Sequence, residues 1–216
     1  MKKKLLYCTV AVMTVAMLCL PKTGYAKRGM PDYVAEKSCG QDNAGGAQVL
    51  IAFATMYGRT FKVAERIAET LCADGYQVDI RFAKDITDSD LAAYDAVLLG
   101  SCIYIEKWHP DAIAFLEKYQ AALAQKKVAY YCVCALMGMD SEDAAALVQE
   151  HYILPMYERF PDIAPLDIGA FGGAINYRIL LPKDWFMLRL MFMPGGDWTD
   201  WEAVAAWADT ISGLLR

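Results

Sequence analysis

Runs of apolar residues alternate with amphipathic stretches along most of this chain. Five runs have the length of β-strands, and "VLIAFA", "AVLLG" and "VAYYCVCA" are almost continuously apolar. Continuous apolar runs are typical of parallel strands covered on both faces, whereas the alternating "QVDIRF" is typical of an edge strand. The pattern predicts strands over residues 49–54, 77–82, 96–100, 128–135 and 166–171.

Helical periodicity fills the gaps between these strands. It predicts helices over 60–74, 110–124 and 141–159, and Pro155 is expected to break the third of them. Strands that alternate with helices predict an α/β fold, an open five-stranded parallel sheet with helices on both faces.

A final helix follows "TDWE" at 199–202, where Thr199 and Glu202 have the spacing of a capping box. Its apolar residues recur on one face, which should pack on the sheet. They are Trp201, Val204, Ala205, Ala208, Ile211 and Leu215.

Two segments depart from this alternation. Residues 27–47 are rich in Gly, Asn, Asp and charge and are interpreted as a flexible tether before a domain at 48–216. Residues 176–196, here called the insert, are apolar and too long for an ordinary connection. The insert is either buried against the domain or forms a surface that meets a membrane, a quinone or a large apolar substrate.

The first 26 residues have the layout of a secretory signal peptide. "MKKK" precedes 16 uncharged residues at 5–20, and the small residues Gly24 and Ala26 come before Lys27. An uncleaved N-terminal anchor and a buried core helix are the alternatives. In the first two cases the body is exported, to the periplasm or to the outer face of the cytoplasmic membrane.

The charge and the cysteines narrow the partners and the chemistry. Without residues 1–26 the chain keeps 17 basic against 26 acidic residues, and this acidic body argues against nucleic acid as a partner. Five of the seven cysteines lie in the body, so at least one is free or intermolecular, and none has metal-site spacing. Cys132 and Cys134 alternate on a predicted strand, and simple burial is expected for both.

Three loops leave the carboxyl ends of the predicted strands, where open parallel sheets bind ligands. The first, 55–60, combines two threonine hydroxyls, Gly58 and the start of a helix, and these can form either a helix cap or an anion site. It matches neither common nucleotide motif. The second, 101–109, carries Tyr104 and Trp108, on which a planar ring could stack. The third is 136–140.

Together, "TMYGRT" after the first strand and "GSCIYIEKWHPDAIAFL" after the third resemble the FMN site of the flavodoxin family. "GAFGGAINY", the insert and "GGDWTDWEAVAAWADTI" resemble the flavodoxin-domain group that includes the menaquinone-dependent protoporphyrinogen oxidases. The resemblance covers about residues 48–216. It implies a flavodoxin-like fold with FMN as cofactor and a quinone or another redox partner.

The resemblance also implies a set of cofactor-binding residues. The phosphate would be surrounded by Thr55, Met56, Tyr57, Gly58, Arg59 and Thr60. The flavin ring would be bordered by Ser101, Cys102, Ile103 and Tyr104, with Trp108 stacked nearby and Leu136, Met137, Gly138 and Met139 on the other side. His109 is the candidate proton carrier, with a helix cap as its alternative role.

Three functions remain open from the sequence. The first is an exported FMN-binding electron-transfer protein, linked to a quinone and in contact with a membrane surface through 176–196. The second is an FMN enzyme of the protoporphyrinogen-oxidising type. The third is a partner-binding module that keeps the fold without flavin, for which Met56 and Cys102 are the departures from the usual loops.

Overall fold

A computed structural model describes residues 29–138 and 143–216 of the chain. The predicted leader and Met139 lie outside these residues. The centre of the fold is a sheet with the strand order β1-β3-β2-β4-β6-β7, and β5 pairs with β4. The strands of this sheet are β1 (Lys37–Cys39), β2 (Gln48–Ala54), β3 (Gln77–Phe82), β4 (Ala96–Tyr104), β5 (Lys107–Trp108), β6 (Lys127–Cys134) and β7 (Ile168–Gly172).

The five predicted strands form the parallel part of this sheet, β3-β2-β4-β6-β7. The continuous apolar runs of β2 and β6 lie inside the sheet, where helices cover both faces, as their composition predicts. Ala54 at the end of β2 pairs with Ser101, and Ser101 pairs with Cys132. This register brings the three predicted loops to one edge of the sheet.

Helices cover both faces, which confirms the α/β prediction. One face packs against α1 (Arg59–Ala73) and α7 (Trp201–Leu215). The other packs against α3 (Pro110–Leu123) and the helical segment 144–159, with the short α2 (Asp88–Ala92) beside them. The segment 144–159 comprises α4 (Ala144–Val148), a π-helical turn (Gln149–Ile153) and α5 (Leu154–Arg159).

The edge of the sheet differs from its prediction. Residues 37–39, inside the expected tether, form β1, which pairs antiparallel with β3. β3 is therefore not an edge strand, and its alternating pattern reflects only partial cover of one face. A disulfide joins Cys39 to Cys72 of α1, with 6.1 Å between their Cα atoms. Within the described residues, Cys102, Cys132 and Cys134 are free thiols.

Two local predictions are wrong. Pro155 does not end the helical segment: it sits in the first turn of α5, directly after the π-helical turn, and the backbone stays helical from Val148 through Leu154. The cap of α7 is Asp200, whose carboxylate accepts hydrogen bonds from the N–H groups of Glu202 and Ala203. The Thr199 hydroxyl instead donates to the carbonyl of Gly172. Of the predicted α7 face, Val204, Ala208, Ile211 and Leu215 are buried.

The insert folds as a helix between two short strands. β8 (Ala174–Ile175) pairs antiparallel with β9 (Gly196–Asp197), and α6 (Pro182–Leu190) lies between them. One side of α6 faces the protein, since Asp184 is buried, while several large apolar side chains remain exposed. In the described residues, no helix is both long and apolar enough to cross a membrane.

Candidate functional site

The first loop joins the end of β2 to the start of α1 in a tight turn. The Gly58 N–H donates to the Thr55 hydroxyl oxygen over 3.0 Å, and Gly58 has a left-handed φ of 84°. Gly58 is the N-cap of α1, so no side chain caps this helix, and its first turn contains no acidic residue. The N–H groups at the start of α1 and the positive end of its dipole therefore remain available for an anion.

Thr60, in the first turn of α1, has the feature that separates an anion site from a simple cap. Its hydroxyl is fully buried and has no hydrogen-bond partner within residues 29–138 and 143–216. In the described parts of the chain, the only other such side-chain atom is the hydroxyl of Tyr130. An unpaired buried hydroxyl costs roughly 1–3 kcal/mol. A phosphate that accepted hydrogen bonds from this hydroxyl and from the α1 N–H groups would remove that cost. The turn therefore fits the phosphate of FMN.

Arg59 and Met56 have more definite partners than their sequence positions indicated. Arg59 forms an ion pair with Asp197 over 2.6 Å and lies over the Trp201 ring at 5.5 Å. The first loop is thus tied to the segment that follows the insert. The backbone of Met56 is hydrogen-bonded to the thiol of Cys102, while burial raises the pKa of Cys102 to about 11. Cys102 is therefore a neutral thiol at ordinary pH and not a reactive thiolate.

The second loop is a β-hairpin. Ile103 pairs with Trp108 and Tyr104 pairs with Lys107, and both turn residues, Ile105 and Glu106, have positive φ angles of 49° and 57°. Positive φ is unusual for a β-branched residue, so Ile105 stores strain at the exposed tip. The hairpin leaves Tyr104 at the rim of the site.

The structure contradicts the prediction for Trp108. Its ring is buried, and its Nε1–H donates to the carbonyl of Tyr152 over 2.9 Å. It also makes an edge contact with Tyr130, at a centroid distance of 6.1 Å. The hairpin turns this side chain into the core beside Tyr152 and Tyr130, so it does not offer an exposed ring on which a planar group could stack. Ile103, predicted to border the ring, is half-buried and packs against the same core.

His109 acts as the cap of α3. Its Nδ1 accepts a hydrogen bond from the Asp111 N–H over 3.2 Å, while its own backbone N–H donates to the Ser101 hydroxyl over 2.9 Å. Burial lowers the pKa of His109, which favours the neutral imidazole that capping requires. This arrangement supports the cap rather than the proton carrier.

The third loop is a 3₁₀ turn at Ala135–Gly138. Leu136 and Met137 are half-buried and pack against the core below α3 and α5. Gly138 leaves room for Trp198, because a Cβ at Gly138 would lie 1.9 Å from Trp198 Cβ. A Cβ at Gly172 would meet the Trp198 backbone in the same way. Trp198 thus covers this end of β6 and β7, a role that was not predicted although its neighbouring glycines in "GGDW" are a signal of close packing.

Asp184 of the insert was also missed, and it links two of the loops. The hydroxyl of Tyr57 donates to one carboxylate oxygen, and the hydroxyl of Tyr104 donates to the other over 2.8 Å. Tyr57 also accepts a hydrogen bond from the Leu181 N–H over 3.3 Å. Burial and the Asp184 carboxylate raise the pKa of both phenols, so both remain protonated donors. The available signal was that Asp184 is the sole acidic residue of the insert.

Comparison with known proteins gives one family. A family model described as a flavodoxin domain matches residues 50–201. The chain is similar to the protoporphyrinogen IX dehydrogenase (quinone) of Escherichia coli strain K12, with 28% identity over 176 residues, 77% of this chain and 96% of the relative. A protein of the same name from Leishmania major is 26% identical over 76% of this chain and 74% of the relative.

Solved structures give the same fold. Oxidised flavodoxin 2 from Bacillus cereus superposes with a TM-score of 0.51 at 21% identity, over 78% of this chain and 99% of that one. A flavodoxin from the domain Archaea gives a TM-score of 0.50 at 13% identity, over 78% and 98%. The flavodoxin-like fold predicted from the sequence is confirmed.

Proposed function

The chain belongs to the flavodoxin-domain family, and from this premise we propose that it is an exported FMN protein that transfers electrons to or from a quinone. FMN is the cofactor of this family. The observation that carries the proposal is the first loop, where an uncapped helix and the unpaired Thr60 hydroxyl converge at the position of the family's phosphate turn.

FMN supplies one-electron and two-electron redox chemistry when bound, and the protein binds and orients it. Thr55, Thr60 and the first N–H groups of α1 would hold the phosphate. Ser101, Cys102 and Tyr104 would border the ring on one side, and the 135–138 turn under Trp198 would close the other. The neutral Cys102 thiol and the half-buried Leu136 and Met137 give the ring apolar surroundings.

The binding test is reconstitution of the folded protein with FMN. We expect one FMN per chain, with quenched flavin fluorescence and a structured visible spectrum. Riboflavin, which lacks the phosphate, is the matched control ligand and should bind far more weakly. A folded protein that takes up no FMN would exclude the proposal and favour the partner-binding module.

The link to a quinone is supported by the relatives and by the insert. The two curated relatives reported above carry a quinone in their names. The insert carries a cluster of exposed apolar side chains in and after α6, the helix that contacts the first two loops through Asp184, and Phe192 is the most exposed of them, at 91%. The cluster consists of Trp185, Phe186, Leu190, Met191 and Phe192. Reduced protein mixed with a water-soluble naphthoquinone should be reoxidised faster than free reduced FMN, and equal rates would contradict the link.

The same apolar cluster supports contact with a lipid surface. Arg178, Lys183 and Arg189 are the cations of the insert, and an apolar surface with flanking cations suits an anionic bilayer. We expect the protein to sediment with phosphatidylglycerol vesicles and less with phosphatidylcholine vesicles. Replacing Phe186 and Phe192 together by Ser should weaken binding at least about tenfold. Leu154→Ser, at an exposed position of α5, is the control; protein that stays in the supernatant with both lipids would exclude this contact.

Export is supported by the leader pattern and by the Cys39–Cys72 disulfide, since disulfides persist in oxidising compartments. Residues 1–47 fused to a reporter that is active only outside the cytoplasm should give activity, and residues 27–47 alone should not. An inactive 1–47 fusion would contradict export.

A second candidate function is oxidation of protoporphyrinogen, which the names of the curated relatives favour. Anaerobic protoporphyrinogen, offered to FMN-loaded protein with a quinone, should yield fluorescent protoporphyrin. No turnover in a sample that does reduce quinones would leave the electron-transfer function and remove this one.

A further inference from the structure

The insert contains a buried carboxylate, Asp184, whose hydrogen-bond donors within the described residues are Tyr57 and Tyr104 of the first and second loops. Asp184 is 3% exposed, although no arginine or lysine forms a salt bridge with it in the described residues. A buried carboxylate is costly unless hydrogen bonds satisfy it. Here Tyr57 comes from the phosphate turn and Tyr104 from the ring loop, so both loops contribute to stabilising one residue of the insert.

The contact is reciprocal at Tyr57. Its hydroxyl donates to Asp184 and accepts from the Leu181 N–H at the start of α6. Leu181 is the N-cap of α6 and provides no side-chain cap. Asp184 lies in the first turn of the helix, where a negative charge interacts favourably with the helix dipole. The start of the insert helix is therefore completed by a residue of the phosphate turn.

We propose that Asp184 is a positioning residue that couples docking of the insert to FMN binding, by holding Tyr57 and Tyr104 in the places that the two flavin loops require. This deepens the proposed function and rests on it for the identity of the cofactor. The opposite side of α6 carries Phe186 and Leu190, both exposed. Whatever binds that side and stabilises the docked insert must, by linkage, also strengthen FMN binding.

The first experiment measures the FMN dissociation constant of Asp184→Asn and Tyr104→Phe. Asn offers one acceptor oxygen in place of two, so one tyrosine hydroxyl loses its partner. We expect FMN to bind about tenfold more weakly in each variant. The double variant should bind FMN as tightly as the more affected single variant, because both changes break the same contact between Asp184 and Tyr104.

Tyr94→Phe is the matched control. The Tyr94 hydroxyl also donates to an aspartate, Asp79, over 2.8 Å. Tyr94 lies just before β4, at the amino end of this parallel strand, and the three loops lie at the carboxyl ends. This variant should lose stability without a change in FMN affinity. If Asp184→Asn binds FMN within about twofold of the wild type, or if Tyr94→Phe weakens FMN equally, the positioning role is overturned.

The second experiment does not depend on flavin. Hydrogen exchange in the apo protein should become about fivefold faster in Asp184→Asn at the amides of 55–60, 101–104 and 181–190 together, with α7 unchanged. If Asp184→Asn does not fold, Tyr57→Phe serves in its place. If the wild type binds no FMN while Asp184→Asn shows this joint change, the proposed function is overturned and only the contact between the insert and the two loops is supported. Unchanged exchange in the two loops of Asp184→Asn would overturn the positioning role itself.

Discussion

At the scale of single residues, the phosphate contact proposed for Thr60 would strengthen cofactor binding, while the same hydroxyl lowers the stability of the apo protein. The buried hydroxyl of Thr60 has no hydrogen-bond partner among the residues that the structure describes, so Thr60→Val should leave the apo protein as stable as the wild type or more stable. The same change should weaken FMN binding about tenfold or more, because a donor to the phosphate is lost. Urea denaturation and flavin fluorescence measure the two effects. Thr70→Val, on the same helix, is the control: it removes a hydroxyl that donates to the Arg66 carbonyl and should leave FMN affinity unchanged. A Thr60→Val protein that is less stable than the wild type without FMN would contradict this account.

Gly58 is the second residue with a defined requirement. Its φ of 84° costs a side chain about 1–2 kcal/mol, and a Cβ would also lie 2.8 Å from Val34 Cγ2. Gly58→Ala should therefore lose stability and FMN affinity together. Gly75 is the control position, since it has a φ of 98° and nothing lies within 4 Å of its Cβ position. Gly75→Ala should therefore lose stability through backbone strain, without a steric clash and without a change in FMN affinity. Equal FMN affinities in the two variants would show that the turn tolerates the added atom.

Residue roles were only partly predictable from the sequence. Thr60 and Gly58 could be named as candidates because a turn between a strand and a helix is local and its residues are consecutive, and their contact with a phosphate stays a prediction. Trp108 was assigned to the wrong side because the hairpin turn at Ile105 and Glu106 decides which way it points, and neither residue type indicates a positive φ. Asp184 could not be assigned, since its partners Tyr57 and Tyr104 are 127 and 80 residues away in the chain.

At the scale of elements, β1 depends on a covalent bond more than on its own sequence. Three residues, "KSC", carry no strand pattern, and the disulfide to α1 closes a loop with a sequence separation of 33 residues. Cys39→Ser with Cys72→Ser should destabilise the protein by about 3–4 kcal/mol. Denaturant unfolding of the wild type in the presence of a reductant should show the same loss of unfolding free energy. Cys102→Ser is the control, because it keeps the disulfide and should lose as much stability on reduction as the wild type does. A wild-type midpoint that ignores the reductant would contradict the prediction.

The other elements show which signals are local. The strands of the parallel sheet followed from continuous apolar runs and, for β3, from an alternating pattern, and α1 and α3 were predicted to within one residue at each end. The π-helical turn before Pro155 and the cap of α7 at Asp200 did not follow, because neighbouring candidates such as Thr199 have the same capping chemistry. Tertiary contacts choose between such candidates, as the bond from Thr199 to Gly172 illustrates.

At the scale of the whole molecule, the alternation of strands and helices was sufficient to predict the architecture. An open parallel sheet places the ends of β2, β4 and β6 at one edge, and the register of Ala54, Ser101 and Cys132 confirms that placement. The position of the insert was not contained in this pattern. It depends on a few polar contacts, of Asp184 with Tyr57 and Tyr104 and of Arg59 with Asp197.

The whole molecule should also lose stability in alkali. Burial raises the pKa of Tyr94 to about 12 and raises those of the core residues Tyr130 and Tyr131 further. Above pH 10, the ordinary tyrosine pKa, the unfolded chain releases these protons while the folded protein retains them. The unfolded state then binds fewer protons, so stability that is complete below pH 10 declines as the pH approaches 12. The urea concentration at the midpoint of unfolding should be lower at pH 11 than at pH 8, and the decrease should be smaller in Tyr94→Phe. Equal midpoints at the two pH values would mean that the tyrosines ionise within the folded protein.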